Sequence, residues 1–166
     1  WHRYIGELLI ALTHVNPAAV GLDLALPDRS FENVLIGSDR DLLRGLILAR
    51  QSYPLVIGVT IDSAGHPRPV FPPFLTAAGP DATGFVLVSR DPDNIVRRFE
   101  TYLDQDVKAM TLAGQIARRL DLKPASGFID YSAGAPFDYI PMHELLDAYR
   151  KGKAASYRTR LEGKII

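Results

Sequence analysis

The 166-residue chain contains no cysteine, which excludes disulfide staples, zinc–thiolate sites and cysteine nucleophiles together. The compartment stays open, because an oxidising environment permits disulfides without demanding them. Neither sign of charge is in excess: 19 basic residues balance 19 acidic ones. Nucleic-acid binders and polybasic membrane-surface domains need a net positive face, so no nucleic-acid partner is expected. Long apolar runs are missing too. The most apolar stretch, Leu8 to Pro27, is interrupted by His14, Asn16, Pro17 and Asp23. It is too polar for a bilayer span or a signal peptide.

The patterns of known catalytic centres are also lacking. His2, His14, His66 and His143 form no His-Glu-x-x-His and no other spacing that puts two ligands on one helix face. His143-Glu144 opens a predicted helix, where a capping role is the better explanation. Tyr131-Ser132-Ala133-Gly134 only grazes a Gly-x-Ser-x-Gly elbow. Gly58 and Gly65 are neither spaced nor placed for a phosphate loop. The residues imply no cofactor and no metal.

What remains reads as one α/β domain over residues 1–166, a single domain with a mixed, partly parallel sheet flanked by helices. At 47% hydrophobic and 23% charged, the chain is able to bury a substantial core. Ile5, Leu8, Leu9, Leu12 and Val15 recur at helical spacing until Asn16-Pro17 ends the run. Ala19 to Leu24 is a short apolar strand. Ser38 or Asp39 caps a helix to about Ser52, with Leu42, Leu43, Leu46 and Ile47 inward. Leu55 to Ile61 is the strongest strand. Strand, helix and strand of these lengths make a parallel βαβ unit.

A proline-rich loop (Asp62 to Pro73) and a short helix (Phe74 to Ala78) follow. Farther on come an amphipathic helix from Asp106 to Leu120, a strand from Gly127 to Tyr131, a helix from Met142 to Tyr149, and a final strand after Gly163. Beginning at Trp1 and stopping within that strand, the chain reads as a fragment of something longer.

The densest charge cluster is Ser89 to Glu100. Asp-Pro and Asp-Asn form turns, so the apolar run Gly84–Val88 and the segment from Phe99 are expected to meet there as a hairpin. Asp91 and Asp93 begin like a calcium loop but lack its later ligands and central glycine. Arg97 and Arg98, adjacent in a strand, point to opposite faces. One turns to the acids, the other to solvent or a partner. Asp23 ends the first parallel strand, the edge where open α/β sheets bind ligands; its competing role is to accept loop amides and fix the Leu24–Pro27 turn. Tyr131, Phe137 and Tyr139 either line a pocket or close the core. The candidate ligand-binding residues are Asp23, Asp91, Asp93, Arg97 and Arg98; none is catalytic.

Taken in order, these segments resemble a CHASE domain of type 2. The front half matches through the first helix, Ala19 to Pro27, the Asp39 helix and Leu55 to Val59. The back half matches through Gly84-Phe85-Val86, Asp91 to Arg98, the Leu112 to Arg119 helix, Phe128 to Tyr131, Phe137 with Ile140, and Leu161 to Ile166. Asn94 stands where the family usually has glycine, and asparagine keeps access to the left-handed conformation. The resemblance implies an extracytoplasmic sensor domain, periplasmic in location, from a bacterial membrane receptor of the cyclase or histidine-kinase (two-component) type. Flanking transmembrane helices, a small-molecule or protein ligand, and work as a homodimer are implied with it. The helix from Trp1 to Val15 would transmit the signal. Two other classes compete: an α/β hydrolase or transferase with its site near Asp23 and the bend, and a ligand-free dimerisation module.

Overall fold

The apolar runs around Val20 and Ile57 fold as adjacent parallel strands, β1 (Val20–Leu22) and β2 (Leu55–Val59), with Val20 opposite Leu55. The structure is a computed structural model that describes residues 1–104, 109–123, 126–133 and 137–166. β3 (Thr83–Phe85) completes a parallel sheet in the order β1-β2-β3. Beyond β1 the C-terminal segment adds a parallel bridge from Ile165 to Ala19, and Gly21 N donates to Ile166 O at 2.7 Å. The expected final strand is therefore reduced to this bridge and its flanking hydrogen bonds.

β2 is buried on both faces, so its residues are continuously apolar rather than alternating. Leu55 and Ile57 join the main core with α1 (His2–Thr13), α2 (Ser38–Ser52) and α3 (Pro72–Ala78). Val56 points the other way and packs with Ala19 against Ile116 of α4 (Leu112–Arg119). Helices thus cover both faces of the sheet, the arrangement a parallel sheet requires. α5 (Met142–Arg150) contributes Leu145 to the main core, and Arg150 reaches Glu7 of α1 at 2.6 Å. α6 (Arg158–Leu161) leads into the C-terminal segment.

Small antiparallel pairs make the sheet system mixed. β4 (Arg98–Phe99) pairs with β7 (Gly127–Phe128), and β5 (Tyr102–Asp104) with β6 (Ala109–Met110). The expected hairpin is therefore corrected. β3 stops at Phe85 and bonds β2, while β4 takes a partner about thirty residues downstream. The amphipathic helix also starts later than its spacing suggests, because Thr111 caps it by accepting Gly114 N at 2.9 Å. Its expected first turn at Asp106 lies outside the described residues. Ile47 turns outward from α2, whose inner face is Leu42, Gly45, Leu46 and Ala49. No capping bond comes from His143, since α5 opens at Pro141 without a side-chain cap.

Nor does Ser38 or Asp39 cap α2. Gly37 is its N-cap, in the left-handed conformation at φ 85°, and the Glu32 carboxylate accepts Gly37 N at 2.5 Å and Asp39 N at 3.2 Å. Asp39 is buried and ties three segments together. It accepts His2 Nδ1–H at 3.0 Å, Ser30 Oγ–H at 2.6 Å and Phe31 N–H at 3.2 Å. Burial alone would raise its pKa. The Ser30, Phe31 and His2 donors outweigh that and hold the carboxyl below its ordinary range.

A depressed folded-state pKa stabilises above the unfolded value, about 3.9, and that stabilisation is lost as pH falls through the folded one. Urea midpoints between pH 7 and pH 2.5 are therefore expected to drop on the acid side. Asp39→Asn should lower stability at pH 7 by about 1–3 kcal/mol and flatten the acid limb. An unchanged limb would remove this role from Asp39.

Candidate functional site

Parallel strands leave their carboxyl ends open to a crevice, and here that crevice has a roof. After β3 the chain runs on as Val86 to Ser89, turns at Asp91–Ile95, and returns through Val96 and Arg98 to Glu100. The space between this excursion, the end of β1 and the start of α4 is a groove of about 270 Å³. That volume lies just below the range of ligand pockets, which run from roughly 300 Å³ upward. Phe85, Val86, Leu87, Leu112 and Ile129 make its walls largely apolar, while Asp23, Arg98 and Glu100 bring charge. Larger depressions of about 680 and 820 Å³ run along α2 and α3. They contain neither Asp23 nor any residue of the bend.

The bend is a closed turn: Asn94 N donates to Asp91 O at 2.8 Å and Asp91 N to Ile95 O at 3.0 Å. Asn94 sits at φ 63°, the left-handed conformation its short amide side chain tolerates. Arg97 grips Asp93 through two bonds of 2.8 and 2.6 Å and reaches Asp91 at 3.1 Å. The Arg97 guanidinium, and then the Ile95 amide, hold the Asp93 carboxyl below its usual range. Arg98 does not point away as strand alternation predicts. Its Nε lies 3.5 Å from Asp91, and its guanidinium covers the Phe128 ring at 5.2 Å. Both arginines therefore hold the acids, because Arg97 precedes β4 and does not share its pleat.

The five candidate residues divide accordingly. Asp23 and Arg98 line the groove; Asp91, Asp93 and Arg97 form the turn behind it and do not. Such an exposed ion-pair cluster fixes geometry more than it adds stability. Asp23 does not fix its own turn through its side chain. The turn is closed by Leu24 N donating to Leu22 O at 2.8 Å, and among the described residues the exposed Asp23 carboxylate takes no bond. Tyr131, Phe137 and Tyr139 neither close the core nor line the groove: all three are exposed, Tyr131 bonding Val96 O.

Sequence reasoning missed three contributors. Glu100 accepts Ser89 Oγ–H at 2.5 Å across the mouth of the excursion. Leu112 and Ala113 form a wall because Thr111 O–H anchors the start of α4 to Glu100 O at 2.6 Å. The readable signal was Thr111 with Gly114 three residues on. Chemically, the groove offers two anionic side chains, Asp23 and Glu100, and one cationic, Arg98, among apolar walls. Its serine donates to the Glu100 carboxylate, and the lining presents charged and polar partners to which a small molecule could bind.

The family model described as CHASE2 domain matches residues 1–166, the whole chain. No curated protein and no solved structure matches it.

Proposed function

We propose, from the premise that the chain belongs to the CHASE2 family of extracytoplasmic, non-catalytic sensory domains, that its ligand sits in the strand-end groove. The ligand class is a small amphoteric molecule whose cationic group meets Asp23, whose anionic group meets Arg98, and whose apolar body lies on Phe85, Leu87 and Leu112. The observation that carries this reading is that a carboxylate with no bond among the described residues and a guanidinium both line one largely apolar groove. The parent is a bacterial receptor with flanking transmembrane helices, working as a homodimer with a cyclase or histidine-kinase output.

The route out of the site is supported by contacts. The first residues of α4 wall the groove. One turn on, Ile116 lies so close to Gly21 that a Cβ there would meet its Cδ1 at 2.8 Å. Gly21 N in turn holds the C-terminal Ile166. Displacing α4 therefore bears on the segment through which the chain leaves the sheet. α1 offers a second exit, anchored at His2.

Thermal-shift screening with amino acids and related zwitterions tests the site. A binder at a hundred times its Kd adds about 2.7 kcal/mol, a rise of several degrees for a domain of this size. Asp23→Asn and Arg98→Gln should each abolish the rise while leaving the unliganded melting temperature nearly unchanged. A rise that survives both substitutions, or no rise across the screen, would remove the groove as the ligand site.

A further inference from the structure

Three consecutive aliphatic residues stand out from the surface between Phe31 and α2. Val34, Leu35 and Ile36 are 78%, 61% and 91% exposed, and they line none of the cavities along α2, α3 or the strand ends. The turn carrying them is not loose. Val34 N and Leu35 N both donate to Phe31 O, at 2.9 and 3.0 Å, and Ser38 N donates to Leu35 O at 3.1 Å. Its base is held by the Asp39 and Glu32 bonds to Phe31, Gly37 and α2. A hydrogen-bonded turn thus presents three apolar side chains to water, an arrangement monomeric proteins avoid unless the patch has a use.

The neighbours indicate what covers them. The Phe31 ring meets the His2 ring edge-on at 5.4 Å, placing the turn beside the start of α1, where Trp1 is 85% exposed. Arg40, largely exposed, lies against Gly37 at the base of the turn. A protein interface needs roughly 800 Å² on each partner, far more than three side chains on a protruding turn supply. A bilayer needs no matching surface. Aliphatics with tryptophan at their flank and a cation at their base have the composition of an interfacial insertion.

We infer that the Val34–Leu35–Ile36 turn dips into the acyl boundary of a lipid bilayer, with Trp1 at the interface and Arg40 at the headgroup phosphates. The inference rests on the reading of the chain as part of a membrane receptor, and it orients the domain with the starts of α1 and α2 towards the membrane.

The chain has a single tryptophan, so Trp1 fluorescence reports directly. With vesicles of phosphatidylcholine containing phosphatidylglycerol, Trp1 emission should shift to the blue and be quenched by brominated acyl chains. The triple variant V34S/L35S/I36S should keep its melting temperature, since all three side chains are exposed, and partition at least about tenfold more weakly. Arg40→Gln should weaken partitioning several-fold on the anionic vesicles only. Absence of any Trp1 shift, or partitioning unaffected by the triple variant, would overturn the inference. So would a homodimer that the triple variant dissolves in the absence of lipid. The groove is judged separately, because ligand-induced thermal shifts need no vesicles.

Discussion

Gly6→Ala and Gly45→Ala are each expected to destabilise the domain by about 2–4 kcal/mol. In an exposed helix the same change would add up to about 1 kcal/mol. The sign reverses because α1 and α2 cross with their backbones touching. A Cβ on Gly45 would lie 2.5 Å from Gly6 Cα and 2.6 Å from Gly6 O, and one on Gly6 would run into Asp41 O. No side chain is there to yield; one helix must move. Moving α1 lifts Ile5, Leu9 and Leu12 off Leu42, Leu46 and Ala49, all of them buried in one core. It also drags His2 from Asp39. Urea unfolding at constant m-value measures the loss. Gly127→Ala is the control, since a Cβ there meets nothing within 4 Å. A neutral or stabilising result at both Gly6 and Gly45 would mean that the helices tolerate separation and that the crossing is not what fixes α1.

That crossing shows how much was legible beforehand. α1, α2, β1, β2 and most of α3 could be read because their signals are local: a 3.6-residue apolar period and a run of Leu, Val and Ile. Pro72 and Pro73, which read as the end of a loop, are instead the first turn of α3. The front sheet followed from the lengths between them. The back half was harder for a physical reason. Val86, Leu87 and Val88 look like a strand, yet after Val86 N bonds Val59 O at 3.0 Å the run leaves the sheet to roof the groove. β4 pairs with Phe128 rather than with its neighbour in sequence, and no short-range pattern encodes that choice.

A cap from Ser38 or Asp39 is the natural reading, because such residues at a helix start usually cap it. Asp39 instead accepts from Ser30, Phe31 and, 37 positions earlier, His2. The site followed the same rule. Asp23 was marked by its place at a strand end and Arg98 by its charge. Leu112 and Glu100 become site residues only when α4 docks.

Docking of α4 is open to direct attack. Gly84→Val is expected to cost about 2–4 kcal/mol and, with it, the ligand-induced thermal shift. A Cβ at Gly84 would meet Leu112 Cα at 2.7 Å, Thr111 O at 2.9 Å and Leu112 N at 3.0 Å, so the start of α4 must back away from β3. The same movement strains the Thr111 bond to Glu100 O, opens the wall formed by Leu112 and Ala113, and loosens Ile116 from Gly21. Stability and binding should therefore fall together here. They should separate in Gly6→Ala, which disturbs the opposite face of the sheet and leaves the groove its walls. Measuring both variants under the same ligand resolves the question. If Gly84→Val loses stability yet keeps the full shift, α4 is not part of the site, and the path from groove to C-terminal segment through Ile116 has no entrance. If only Gly84→Val loses the shift, binding depends on the wall that α4 supplies, and α4 is the same helix whose Ile116 packs against Gly21 of β1.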